Sequence, residues 1–421
     1  MSSETTPEQE PKAPRLAFLR SATVVAVGMA IMNVAAYGFT LIGTRRLVPE
    51  QFGAITALLG LLLIGNVASL GLQATGARQL ATHTGDGAAA LADAMLQAGR
   101  RAALGLTAVC LGATPLFMWL LHIESVVAIL LLAPTLGCLT LMGSQLGVLQ
   151  GSQRWTELAA IYTSVGIGRL FLGGGALFIH PSLDWAMIGL ALGAAVPALL
   201  GAFLLRGSAG ATSEEIKAVL RETVHGTHTL LAFFAMANAD VLFARALLDG
   251  TDSGYYAAGV IVAKACLFLP QFVIVIVFPS LASSPGDTLR LRRAILAVAG
   301  LGVCTVIGTL VLPDVVVAVI GGKEKYAPLG PYTWLFAVAG SAYAVLQLVV
   351  YAAIAQQEKR AALLIWIGLV VLAVAAGTVL GTDIATGLAG VKALVAMTST
   401  CALLVSAGLA AGLHRQAADN N

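Results

Sequence analysis

The sequence predicts an all-α, polytopic membrane protein of about twelve transmembrane helices in two six-helix lobes. Three observations carry that prediction. The first is composition: of 421 residues, 58% are hydrophobic and only 11% charged, with a mean hydropathy of +0.89, whereas a soluble domain carries about 25% charged residues. The second is that apolar runs fill almost the whole length, which excludes a soluble domain with a single anchor. The third is that Lys and Arg alternate between heavy and light from one loop to the next.

In order along the chain, MSSETTPEQEPKAPR is polar and Pro-containing and reads as a disordered tail over 1–20. The apolar run from Ser21 is about 22 residues long, more than the apolar core of a cleaved signal peptide. It reads as an uncleaved first span over 21–43. A crossing needs about 20 apolar residues, and eleven further runs meet that length: 54–76, 102–121, 125–149, 158–179, 185–205, 228–248, 254–281, 294–312, 331–355, 361–380 and 385–413. Only LHIES separates the third run from the fourth. Pro270 and Pro279 fall in the eighth, where a helix kinks or ends. Between the sixth and seventh runs, Ser213 is followed by Glu214 and Glu215 in SEEIKAVLRETVHG, which reads as a helix start. A short amphipathic surface helix is expected there, in a linker over 206–227. Another is expected over 86–101. The linker separates an N-terminal lobe (21–205) from a C-terminal lobe (228–413), with a cytoplasmic tail at 414–421.

The net charge of +3 says less than its placement. The N-terminus and the loops after even-numbered spans hold 16 of the 24 Lys and Arg residues, and the loops after odd-numbered spans hold 4. Positive loops stay in the cytoplasm, so both termini are expected inside, in a multi-pass protein of the cell membrane. Arg45 and Lys323 should then lie on the outer face, opposite Arg154 and Lys359. The remaining four cations, Arg169, Arg245, Lys264 and Lys392, fall inside spans.

The halves look alike. RRLVPEQFGAITALLG (45–60) and RALLDGTDSGYYAAGV (245–260) share a basic residue, Leu, a polar turn and a step into the next span, with Gly53 matching Gly254. LQGSQRWTEL (149–158) and IAQQEKRAAL (354–363) repeat a Gln/basic turn at a similar offset. Both halves begin inside, so the duplication is of the parallel kind, about an axis along the membrane normal.

At RRLVPEQFGAITALLGLLLIGNVASLGLQATGARQLA (45–81), LQGSQRW (149–155), NADVLFARALLDGTDSGYYAAGVIVAKACLFLPQFVIVIVFPSLA (238–282) and VIGGKEKYAPLGPYTWLFAVAG (319–340), the chain resembles a known group. It is the polysaccharide-biosynthesis branch, the Wzx-type oligosaccharide flippases, of the multidrug/oligosaccharidyl-lipid/polysaccharide (MOP) exporter superfamily. The resemblance implies two six-helix lobes around a central cavity that opens alternately to either side. It implies as cargo a sugar chain on a polyprenyl pyrophosphate lipid, and as partners membrane lipids, a coupling ion (H+ or Na+) and polysaccharide polymerase or export machinery.

Ionisable groups at mid-membrane depth are costly, about 2.5–3.5 kcal/mol each on insertion scales, and so mark interior or wet positions. Arg169 is about 11 residues into the fifth span, Asp240 about 12 into the seventh and Lys264 about 10 into the eighth, each near the middle of a core about 30 Å thick. Arg245 and Lys392 lie nearer the outer ends, where long side chains snorkel. Tyr162, Gly166, Arg169 and Gly173 share one helical face, as do Ala257, Lys264 and Gln271; small and polar neighbours fit a packed or wet interior. The face of Asp240 is mixed, so Asp240 either pairs with Lys264 or Arg169 to tie helices or borders a cavity. Arg169, Asp240 and Lys264 together leave a surplus positive charge, which suits an anionic headgroup such as pyrophosphate. They are the candidate substrate-binding residues. Asn33, Asn66, Asn238, Arg245, Gln271 and Lys392 are possible secondary contacts.

No enzyme is expected. The six His residues lie in loops or at helix ends, and HGTH at 225–228 reads as a helix end. Cys110, Cys138, Cys266, Cys304 and Cys401 all fall in apolar runs without CxxC spacing and read as small hydrophobes. No Walker motif occurs, so a secondary transporter is expected, with no cofactor, no metal and no nucleic-acid partner. Besides the oligosaccharide flippase, three functions stay open: an organic-cation exporter of the same superfamily, which should show surplus acidic residues at mid-depth; a flippase for the peptidoglycan lipid precursor, whose cargo is also a pyrophosphate lipid; and a non-transporting scaffold.

Overall fold

The computed structural model describes residues 12–83, 85–206, 210–268, 288–356, 358, 360–382 and 384–419. Among these residues the chain is helical, without strands. Ten helices are long and apolar enough to cross a membrane, and an eleventh crossing is a pair bent by 52°. With α11 (Gly250–Phe268) added, each of the twelve predicted runs has a helix. The rest of the eighth run, with Pro270, Gln271 and Pro279, lies outside the described residues.

The first six crossings are α1 (Lys12–Arg46), α2 (Pro49–Gly65) continued by α3 (Val67–Ala81), α4 (Asp86–Gly112) bent into α5 (Thr114–Leu121), α6 (Val126–Gly151), α7 (Trp155–Ile167) continued through a π-helical segment Gly168–Gly174 into α8 (Gly175–Ile179), and α9 (Leu183–Leu204). The next six are α10 (Ser213–Leu247), α11, α12 (Thr288–Val311), α15 (Thr333–Ala355), α16 (Ala361–Leu380) and α17 (Gly387–Asp419). The short helices α13 (Pro313–Ile320) and α14 (Lys323–Tyr326) join α12 to α15.

Several boundaries differ from the expected ones, for local reasons. The tail expected over 1–20 is helical from Lys12, and the one over 414–421 is helical to Asp419. The surface helix expected over 86–101 is the first half of α4 and runs without a break into the third crossing. That crossing bends where Thr114 and Pro115 open α5, because proline has no N–H to give the preceding turn. The linker helix is likewise fused to the seventh crossing in one 35-residue helix. Its start is as read: Thr212 accepts from the Glu215 N–H and Glu215 reaches back to the Thr212 N–H, a capping box. This helix does not float as a surface element. Ile216 and Val219 are buried against Leu72, Leu80, Met95 and Val148 of the N-terminal lobe.

Within each half the helices pack mainly on one another, α3 and α4 on α6, α1 on α7, α9 on α6, then α15 on α17 and α12, and α16 on α10 and α17. The halves meet chiefly where α2 lies against α10 and α11. The crossing of α2 and α11 is a glycine contact. A Cβ on Gly53 would fall 2.7 Å from Ser253 Oγ, and one on Gly254 would run into the Pro49 carbonyl. Side chains such as Trp119, Leu199, Phe171 and Val374 lie more than half exposed around the outside, an apolar belt that suits lipid.

The ends of the odd-numbered crossings collect on one face. Lys325 Nζ donates to the carbonyls of Arg45 (2.9 Å) and Leu47 (3.0 Å), Thr44 donates to Ile320 O, and the Arg46 guanidinium lies 4.4 Å over the Phe178 ring. The ends of the even-numbered crossings collect on the other: Arg154 donates to Leu204 O (3.2 Å), Asp93 accepts from Ala211 N (2.9 Å), and Glu222 accepts from Arg78 and Gln79. Arg45 and the helix opening at Lys323 therefore share a face that Arg154 does not. Lys359 lies outside the described residues.

Candidate functional site

Asp240 is 6% exposed, in the second half of α10, seven residues before the helix ends at Leu247. Its Oδ2 accepts from the Tyr256 hydroxyl at 2.9 Å, and its Oδ1 is buried without a hydrogen-bond partner. Among the described residues it belongs to no ion pair. Lys264, half-buried on α11, donates instead to Asn238 Oδ1 at 3.4 Å, two positions from Asp240. Asn238 is itself fixed, since its amide donates to Phe234 O at 2.9 Å. The Tyr343 hydroxyl closes the same side by donating to Met236 O at 2.8 Å. The Thr398 hydroxyl of α17 lies beside the Tyr256 phenol.

These groups bound a cavity of about 20 Å³, lined by Asp240, Tyr256, Lys264, Phe336 and Tyr343 among others. That is room for one water or a comparably small species. Its lining comes from α10, α11 and α15, so it lies inside the C-terminal half.

Arg169 approaches from the other half. It sits in the π-helical turn of the fifth crossing, a geometry that recurs at functional sites. The turn is held against α9 by backbone contact: a Cβ on Gly193 would lie 2.7 Å from Gly168 O. The guanidinium lies 5.2 Å from the Phe39 ring centroid, within cation–π range, and its Nε is buried without a hydrogen-bond partner. The charges of both Asp240 and Arg169 act on Lys264. The structure thus puts Asp240 and Lys264 on one cavity, with Arg169 in electrostatic reach of Lys264 but outside that cavity's lining. The face read as Tyr162, Gly166, Arg169 and Gly173 packs on α1: Gly166 meets Met32 and Ala35, and Gly173 meets Phe39. Tyr162 accepts from Gln73 Nε2 at 2.7 Å.

The secondary candidates separate. Asn238 belongs to the site. Arg245 does not snorkel; it is 7% exposed and donates to Leu121 O (2.9 Å), His122 O (2.9 Å) and Ser253 Oγ (3.3 Å), with Glu50 at 4.0 Å. Its charge is spent on the carbonyl end of α5. Lys392 stacks over the Tyr332 ring at 4.5 Å. Asn33 is exposed, and Asn66 lies at the joint of α2 and α3 with its Oδ1 unpartnered. Gln271 is outside the described residues. A larger groove of about 510 Å³ between α16 and α17 is lined by Leu364, Ile367, Val371, Leu404 and other uncharged residues, and does not include Asp240, Lys264 or Arg169.

Sequence reasoning missed Tyr256, Tyr343 and Thr398. The signal for Tyr256 was present: it enters the eighth crossing at about the depth that Asp240 has leaving the seventh.

No protein-family model matches the sequence, and no curated protein matches it. Solved structures match in fold. A lipid II flippase, MurJ, in an inward closed conformation superposes with a TM-score of 0.73 at 10% identity, over 94% of this chain and 90% of that one. An inward-facing multidrug resistance MATE-family transporter of the MOP superfamily gives 0.71 at 13% identity, over 93% and 95%. A MOP transporter from Pyrococcus furiosus, described as having a binding pocket of reverse polarity, gives 0.57 at 13%, over 94% and 95%. The described residues are helical, with ten to eleven helices fit to cross a membrane, and the chain shares the all-α, polytopic fold of these solved transporters.

Proposed function

We propose that the chain is a secondary transporter that flips a polyprenyl-pyrophosphate-linked oligosaccharide from the inner to the outer leaflet of the cell membrane, with both termini cytoplasmic and an H+ or Na+ gradient as drive. The observation that carries this reading is the charge at mid-depth. Lys264 and Asp240 line one small cavity, in which Asp240 is the one acid among the lining residues, and Arg169 of the fifth crossing carries a buried Nε without a hydrogen-bond partner. Two cations against one acid favour an anionic headgroup, for which guanidinium and ammonium are the natural partners. An organic cation would meet net repulsion there. One superposing transporter is itself described as having a binding pocket of reverse polarity that suggests a different function.

A flippase for the peptidoglycan lipid precursor is the second reading, favoured by the superposition on the lipid II flippase. Deleting the gene separates the two: accumulation of a lipid-linked surface-glycan unit in the inner leaflet supports the first, and accumulation of the peptidoglycan precursor supports the second. Arg169→Ala and Lys264→Ala should each lower export of the accumulated glycan while leaving the amount of folded protein unchanged. Wild-type export from both variants would overturn the headgroup site.

A further inference from the structure

Gln73, Gln150 and Tyr162 come from three crossings and meet at one point. The Gln73 amide of α3 donates to Gln150 Oε1 of α6 at 2.9 Å and to the Tyr162 hydroxyl of α7 at 2.7 Å. We propose that this trio is a neutral sugar subsite, which holds the first sugars of a glycan whose anionic headgroup lies deeper, at Arg169. This rests on the lipid-linked glycan reading above.

The trio differs from a helix brace in what it leaves unspent. A bracing amide is sealed in: Gln145, on α6 five positions before Gln150, is 1% exposed and donates to Ala198 O at 2.9 Å. Gln73, Gln150 and Tyr162 are instead half-buried. Both N–H groups of Gln73 are engaged, which fixes the plane of its amide. What remains is an acceptor at Gln73 Oε1 and donors at Gln150 Nε2 and the Tyr162 O–H. Among the described residues none of the three has a protein partner, and Gln73 Oε1 and Gln150 Nε2 are open to molecules of water size. Neutral donors set beside an acceptor match a pyranose, whose hydroxyls both give and accept; an anion calls for donors and positive charge. An aromatic wall is also at hand. Trp155, half-buried, is seven positions before Tyr162 and so on the same side of α7. Its indole offers a flat apolar surface to the C–H side of a sugar ring. Arg169 is seven positions after Tyr162, about 10 Å further along the crossing at 1.5 Å per residue. A headgroup at Arg169 therefore has its first sugars at the level of Tyr162, toward the end of the crossing where Arg154 lies.

The test is binding to the full chain in nanodiscs of three farnesyl pyrophosphate diesters of equal charge: the N-acetylglucosaminyl, the glucosyl and the sugar-free methyl ester. In the wild type at least one sugar-bearing ester should bind about tenfold more tightly than the methyl ester, the gain expected from one or two net hydrogen bonds. Tyr162→Phe and Gln73→Leu should each remove most of that advantage and leave methyl-ester binding unchanged. Arg169→Ala should weaken all three ligands alike. A brace would show the other pattern, a lower Tm with equal losses for the three. Equal binding of the three esters by the wild type, or a sugar advantage that survives in both variants, overturns the subsite and leaves the headgroup site standing. Binding of none of them overturns both. If Gln73→Leu does not fold, Tyr162→Phe, which removes only the hydroxyl and keeps the ring, decides.

Discussion

Arg245 and Lys264 look alike in the sequence, as single cations inside apolar runs, yet they do different work. Arg245 donates to two carbonyls at the end of α5, and His122 there adopts a left-handed backbone (φ 47°) that turns its carbonyl toward the guanidinium. Those carbonyls have no helical partner of their own. Arg245→Met should therefore destabilise the protein by about 3 kcal/mol, since hydrogen bonds to a buried charged group are worth about 1.5–3 kcal/mol each. Thermal unfolding in detergent measures this as a clear fall in Tm. Lys264→Met should leave Tm close to wild type while export falls. A fall in Tm for Lys264→Met equal to that for Arg245→Met would make Lys264 a brace rather than a binding residue. The distinction was not legible in the sequence, because the partners of Arg245 lie 123 and 124 positions away. Asp240 was legible as a costly charge, but its hydrogen-bond partner Tyr256 was not identified, since apolar periodicity carries no information about which hydroxyl meets which carboxylate.

At the scale of elements, the all-α polytopic architecture was readable because lipid demands long apolar helices and leaves little else to choose, and ten to eleven of the twelve expected crossings have a helix fit to span. What lipid does not dictate was missed. The helical starts before the third and seventh crossings continue into them, because nothing breaks the hydrogen-bond ladder at Gly99 or Gly226. The π-helical turn at Arg169 reflects the close packing of Gly168 on Gly193, a pairing between crossings that single-helix patterns do not encode. The Gly53–Gly254 match, by contrast, was read as a sign of duplication, and in the structure the two glycines lie at the contact of α2 and α11. Gly254→Val should prise this contact open. In a chain that also carries Ser253→Cys, at a position 2% exposed, a membrane-impermeant maleimide added outside should label the thiol. The thiol in Ser253→Cys alone should be protected. Equal labelling of the two would show that the glycine contact does not seal the outer end.

For the whole molecule, the position of α10 sets what can move. Its first half is fastened to the N-terminal lobe by Glu222 with Arg78 and Gln79, by Thr223 against Thr75 at 3.5 Å, and by Ile216 and Val219 in an apolar cluster. Its second half carries Asn238 and Asp240 and packs on α16 of the C-terminal lobe. If the halves rock about the shared site, the base of α10 travels with the N-terminal lobe while its upper part follows the other. Two disulfides test this with opposite expected outcomes. Thr75→Cys with Thr223→Cys locks a contact that is not expected to part, so oxidised protein should export glycan at close to the wild-type rate. Gly53→Cys with Ser253→Cys locks the contact of α2 and α11, where the Gly53 Cβ position is 2.7 Å from Ser253 Oγ, near enough for an S–S bond. Oxidation there should stop export, and reduction should restore it. Full export with this bond closed would mean that the α2–α11 contact stays shut throughout the cycle. Loss of export with the Thr75–Thr223 pair bonded would mean that the base of α10 leaves the N-terminal lobe, and that the hinge lies in the linker before Ser213 rather than within the helix.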